Sequence, residues 1–134
     1  MPSERYNRGF AKLAEIDGAA GQKVIDSLAS LAPDLGRYII EFAFGDVYTR
    51  PGLDLKTREI ATVAALTALG NAGPQLRVHL HAALNVGCTQ EEPTEVMLQM
   101  AVYAGFPAAL NGVSALRDVL AELGAVSGMD RQAA

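Results

Sequence analysis

Between Ile60 and Gln90 the chain carries one formally charged residue, Arg77, and both of its histidines, His79 and His81. Every other position in that stretch is apolar, small or neutral polar. A segment so poor in charge is expected to be buried, and burying Arg or His is costly unless the group is paired or used. Arg50, Asp54, Arg58 and Glu59 stand just upstream. The chemistry of this chain is therefore to be sought between residues 50 and 90.

The same pattern bears on fold class. Half of the 134 residues are hydrophobic, yet only 6% are aromatic and Trp is absent. Ala and Leu supply most of the apolar content, which suits close-packed helices better than stacked sheets. Tyr6, Phe10 and Leu13 form a helical stripe expected to end near Asp17–Gly18, and Val24, Leu28 and Leu31 form a second that stops before Pro33. A third helix is expected over 34–49. Residues 50–53 read as a turn, and Asp54 as the N-cap of a helix running to Gly70. Pro74 suits the first turn of a helix ending at Gly87. Thr89 and Glu92 have capping-box spacing for a helix through Ala104. A last helix, opened by Phe106–Pro107, places Leu110, Val113, Leu116, Leu120 and Leu123 on one face and is expected to end at Gly124. The reading is all-α: one domain over 1–124, a bundle of about six to seven helices, and a frayed tail over 125–134.

Composition also narrows function. The net charge is −4, with no Lys/Arg cluster, so the electrostatic footprint of a nucleic-acid binder is missing. No apolar run reaches membrane-spanning length and the first residues lack a signal-peptide core, so a soluble cytoplasmic protein is expected. A single cysteine, Cys88, excludes an internal disulfide and a Cys-based zinc site. Several helices are apolar on more than one face, more than so small a domain can bury alone. Homo-oligomerisation is the expectation.

Among the candidate residues, His79 suits general acid/base work, or else is a core histidine satisfied by one partner. His81, two residues on, points to another face. Two His at that spacing cannot chelate one ion, so no metal site is expected. Glu59 either orients a base or is an acid favoured by the helix N-terminus. Placed about residue 72 as an ideal antiparallel hairpin, Glu59 and His79 are offset by roughly 9 Å, too far for a direct hydrogen bond. Arg50 and Arg77 suit an anionic substrate, and Arg77 has no carboxylate neighbour from 60 to 90. Cys88 is either a thiol activated near a helix N-terminus or a small apolar filler.

Phe44-Gly-Asp-Val-Tyr-Thr-Arg-Pro-Gly-Leu-Asp54, Thr57-Arg-Glu-Ile60, Leu66-Thr-Ala-Leu-Gly70, Gln75-Leu-Arg-Val-His79, Ala83-Leu-Asn-Val-Gly87 and Gln99 to Ala108 together resemble the carboxymuconolactone decarboxylase family. The resemblance covers roughly residues 40–112. It implies an all-α, alkylhydroperoxidase D-like fold assembling as dimers and trimers of dimers, often a hexamer, with active sites near subunit contacts. Relatives of the peroxidase type carry a Glu, a CxxC and a downstream His. Aligned on His79 and Gly87, the two Cys positions fall here on Ala72 and Gln75, so the thiols are missing while His79 and, with a one-residue offset, Glu59 are kept. For the decarboxylase branch the resemblance implies loss of CO2, without a cofactor, from an unsaturated lactone carboxylate of protocatechuate breakdown. His79 would then deliver the proton, with Glu59 beside it, and Arg50, Arg77 and His81 would bind the small carboxylate substrate. Two alternatives stand: a peroxiredoxin-type activity through the lone Cys88, and a non-catalytic oligomeric protein that binds small acids.

Overall fold

The computed structural model describes the backbone of residues 1–132 and the side chains of residues 1–124. Its elements are helical: α1 (Glu4–Leu28), α2 (Pro33–Tyr38), a π-helical segment (Ile39–Val47), α3 (Leu55–Leu69), α4 (Gly73–Asn85), α5 (Glu91–Ala104) and α6 (Phe106–Gln132). The all-α expectation is met. The elements fall into two compact units, Met1–Arg58 and the remainder from Glu59 onward.

In the first unit the break expected at Asp17–Gly18 is a kink rather than an end. Gly18 takes φ 54°, ψ −133°, and the chain remains helical to Leu28. The helix expected over 34–49 is likewise altered, since after Tyr38 it widens into a π-helix, as in the 2.9 Å bond from the Tyr48 N–H to the Ala43 carbonyl five residues back. The widening accompanies a very close approach to α1. A Cβ on Gly9 would lie 1.9 Å from the Ile40 carbonyl oxygen, so only glycine fits there. The Gly45 carbonyl accepts from Arg8 Nε at 2.8 Å and from Thr49 Oγ1 at 2.6 Å. Leu13, Ile16, Ile40 and Phe44 are the buried apolar side chains of this unit, beside the buried carboxylates Asp17 and Glu41. On its surface Arg5 holds Asp46 through Nε and Nη2, at 2.9 and 2.6 Å from Oδ2. Arg5 and Arg37 also reach Glu41 at 3.4 and 3.6 Å.

The second unit is built on one apolar cluster. Val63 of α3, Leu76 and Leu80 of α4, Met97 of α5, and Leu116 and Val119 of α6 are all buried in it, together with Cys88. α6 packs against both α4 and α5. Glu92 Oε1 accepts from the Thr89 backbone N–H at 2.9 Å, the Glu half of the expected capping box.

Two expectations for α6 are corrected. It runs through Gly124 to Gln132, and Gly124 is not among the glycines with positive φ, so nothing in the backbone stops the helix there. The tail over 125–134 lies, in its side chains and its last two residues, outside the described residues. Nor do the large apolar residues of α6 share a buried face. Leu116 is buried, but Leu110, Val113 and Leu123 are exposed. The buried stripe is made of Ala108, Ala109, Gly112, Ala115, Leu116 and Val119, with Leu120 packed against the core beside it. A Cβ on Gly112 would come within 2.9 Å of Thr67 Cγ2 and 3.1 Å of Met97 Cγ. Close approach of α6 to its neighbours at Gly112 selects small residues there, and Leu110, Val113 and Leu123 fall outside the contact.

Candidate active site

Asp54 starts α3 as the sequence implies, its Oδ1 accepting from the Thr57 backbone N–H at 2.7 Å. Hydrogen bonds from Thr57, side chain then backbone, hold the Asp54 carboxyl below its ordinary pKa. One turn further, Glu59 begins the buried stripe Glu59, Val63, Thr67. Its side chain is fully buried. A carboxylate in that position is too costly to serve merely as a helix-terminus acid.

Its partner is His79 of α4. Nδ1 lies 2.9 Å from Glu59 Oε2, and the imidazole is 20% exposed. The expected offset is thereby overturned. The offset holds only for helices with aligned axes, mirrored about residue 72. α4 instead makes its close approach to α6, and Gly70 (φ 76°) and Ala72 (φ −115°, ψ 39°) turn the chain between them. Once the axes are not aligned, distance from the loop no longer measures separation.

With an ionised carboxylate as acceptor, Nδ1 carries the hydrogen, which fixes the tautomer and leaves Nε2 as the lone-pair nitrogen of the ring. The second carboxylate oxygen, Oε1, is buried with no hydrogen-bond partner among the described residues. The pair is thus an acid anchored inside the core and a base that reaches the surface.

The other candidates are placed elsewhere. Arg77 is not buried beside His79: its side chain is 45% exposed, and Nη2 lies 3.2 Å from Asp118 Oδ2 of α6. His81 Nε2 lies 2.9 Å from Glu122 Oε2, also of α6. Both links span 41 residues, so α4 and α6 run parallel in register, and Asp118 and Glu122 are the partners that sequence reasoning missed. The signal was present, as residues 77/81 and 118/122 repeat the same i, i+4 spacing with complementary groups. Arg50 is an exposed residue of the first unit, its carbonyl accepting from Arg58 Nη2 at 3.1 Å. Cys88 is 7% exposed and packs within the apolar cluster.

Among the described residues no three His, Cys, Asp or Glu side chains converge as metal ligands, and no described helix is long and apolar enough to cross a membrane. A small cavity of about 20 Å³, with Leu66, Thr67, Leu76 and Asn111 in its wall, lies between the end of α3, the start of α4 and α6. It holds about one water and includes neither member of the dyad.

The carboxymuconolactone decarboxylase family model matches residues 33–118. The chain is 35% identical over 122 residues to 4-carboxymuconolactone decarboxylase of Acinetobacter baylyi, covering 90% of each chain. It is 36% identical over 97 residues to an uncharacterized 15.0 kDa protein of Paracoccus denitrificans, covering 72% of each. It is also 37% identical over 75 residues to nitrosuccinic acid decarboxylase of Metarhizium robertsii, covering 56% of this chain and 52% of that one. With an all-α structure and a family match across most of its length, the chain belongs to the carboxymuconolactone decarboxylase family.

Proposed function

We propose that this protein is a decarboxylase of small activated carboxylic acids, with 4-carboxymuconolactone as the leading substrate and His79 as its general acid. The observation that carries the reading is the Glu59–His79 pair, a fully buried carboxylate holding a partly exposed imidazole at 2.9 Å. Two relatives named as decarboxylases support the reaction class. Their named substrates share a chemical trait. In each, an electron-withdrawing group, a conjugated lactone or a nitro group, can accept the electron pair left when CO2 departs.

In this reading the C–CO2 bond breaks heterolytically and its electrons move into the lactone conjugation, giving a dienolate. The imidazolium of His79 gives its Nε2 proton to carbon and becomes neutral, Nδ1–H still held by Glu59. Solvent then restores the proton. The Glu59 carboxylate stabilises the imidazolium by opposite charge and fixes its orientation, as expected of an acid–base pair tuned for one transfer. The electron sink belongs to the substrate, so no cofactor is required. The place of such a reaction would be aromatic-acid breakdown in the cytoplasm.

The test is CO2 release from 4-carboxymuconolactone and from nitrosuccinate. Wild-type protein should turn over at least one, and His79→Ala should lose about 10²-fold or more in kcat. Absence of CO2 from both substrates with folded wild-type protein would sink the reading.

A further inference from the structure

The two nitrogens of His79 are not equivalent. Nδ1 is held at 2.9 Å by a fully buried carboxylate. The ring cannot turn over without stranding that charge in the core, so in the neutral ring the lone pair stays on Nε2. Glu59 Oε1 meets no hydrogen-bond donor among the described residues, which makes the imidazole the group on which the carboxylate acts. The ring itself is 20% exposed, so a proton taken up at Nε2 can exchange with water. Those are the attributes of a fixed base open to solvent on one side.

The setting tells which molecules such a base suits. Leu76 and Ala83, one turn to either side of His79 on α4, are buried and apolar, as is Val63, one turn after Glu59 on α3. Arg77 and His81 are drawn to Asp118 and Glu122 of α6. A neutral ring beside an ionised Glu59 gives the pair a net negative charge. An uncharged molecule meets that charge without repulsion, whereas an anion does not. Proton delivery to a dienolate also runs backwards through the same atoms, and the backward step needs no departing carboxylate.

We propose, resting on the decarboxylase reading, that the Glu59–His79 pair also catalyses proton exchange at carbon in unsaturated lactones that carry no carboxylate at the reacting position. Nε2 removes a proton from the carbon beside the lactone carbonyl, and the C–H electron pair moves into the conjugation to give a dienolate. The imidazolium, held by Glu59, exchanges its Nε2 proton with solvent and returns one to the same carbon. One C–H bond breaks and one forms, so no co-reactant enters. Return to the far end of the dienolate instead shifts the double bond into conjugation with the carbonyl.

The test is α-angelica lactone, a β,γ-unsaturated γ-lactone without a carboxylate, followed in D2O by proton NMR. With wild-type protein, deuterium should enter beside the carbonyl about 10²-fold or more faster than in buffer, with His79→Ala at the buffer rate and His81→Ala within about twofold of wild type. A readout without substitution is competition: the acid that wild-type protein decarboxylates should slow the exchange at concentrations near its KM. CO2 release with exchange at the buffer rate overturns the inference and spares the decarboxylase reading. Exchange without CO2 release supports the inference and removes that reading, and absence of both overturns the two together. Exchange that persists in His79→Ala, or that the decarboxylated acid does not slow, overturns the inference as well.

Discussion

Two His–Glu pairs sit two residues apart on one helix, both 2.9 Å long. They differ in almost everything else. In the pair His79–Glu59 the carboxylate is fully buried, and in the pair His81–Glu122 it is 61% exposed. Glu122 can trade its histidine for water at little cost, whereas Glu59 cannot. Distance alone would rank the pairs as equal. Burial makes one a fixed device and the other a surface contact, which is why the proposed chemistry rests on His79.

The sharpest way to break this contrast is turnover. His79→Ala should lower kcat on the decarboxylase substrate by about 10²-fold or more, while His81→Ala should stay within about twofold. Equal losses would erase the distinction. Glu59→Gln keeps the side-chain shape but removes the charge that holds Nδ1–H. A loss of roughly tenfold or more in kcat, with KM little changed and an altered pH–rate profile, is expected from its action through His79. A wild-type profile in that variant would reduce Glu59 to packing.

Stability offers a gentler comparison. A double-mutant cycle by chemical denaturation should give a coupling of about 1–3 kcal/mol for Glu59 with His79. For Glu122 with His81 it should be below about 1 kcal/mol and vanish in high salt. The smallest effect belongs to a third kind of pair, exposed but two-pronged. Arg5 holds the Asp46 carboxyl below its ordinary pKa, chiefly through their hydrogen bonds. Because the folded pKa is the lower one, the pair's contribution is complete above the unfolded value and is lost as pH falls through the folded one. Carboxyl NMR titration should show the Asp46 midpoint rising in Arg5→Ala. An unmoved midpoint would remove Arg5 as the cause.

The fold class and most helix boundaries were legible because they rest on local chemistry. The Asp54 cap, the reach of Glu92 to Thr89 and the turn before α4 are fixed by residues within a few positions of one another. The site was half legible. His79 and Glu59 can be named from their types and surroundings, but not their contact, because the residues of the α3–α4 hairpin do not by themselves give the way the two helices meet. From the sequence Arg77 reads as a buried cation without a nearby carboxylate. Asp118, 41 positions away, is visible only in three dimensions. On α6 the periodicity of leucines points to one buried face, yet only Leu116 and Leu120 of that set pack in the core, and the close approach at Gly112 brings small residues in beside them.

By itself, then, the sequence determined that the chain is helical, where most of its helices begin, and which few polar groups lie in an apolar stretch. These follow from backbone propensity, capping and composition, all short-range. Only the tertiary structure decided which of two neighbouring histidines holds a buried carboxylate and which apolar residues of α6 stay in water. Those outcomes depend on the angles and spacings at which helices meet, and these are set by side chains distant in sequence acting together.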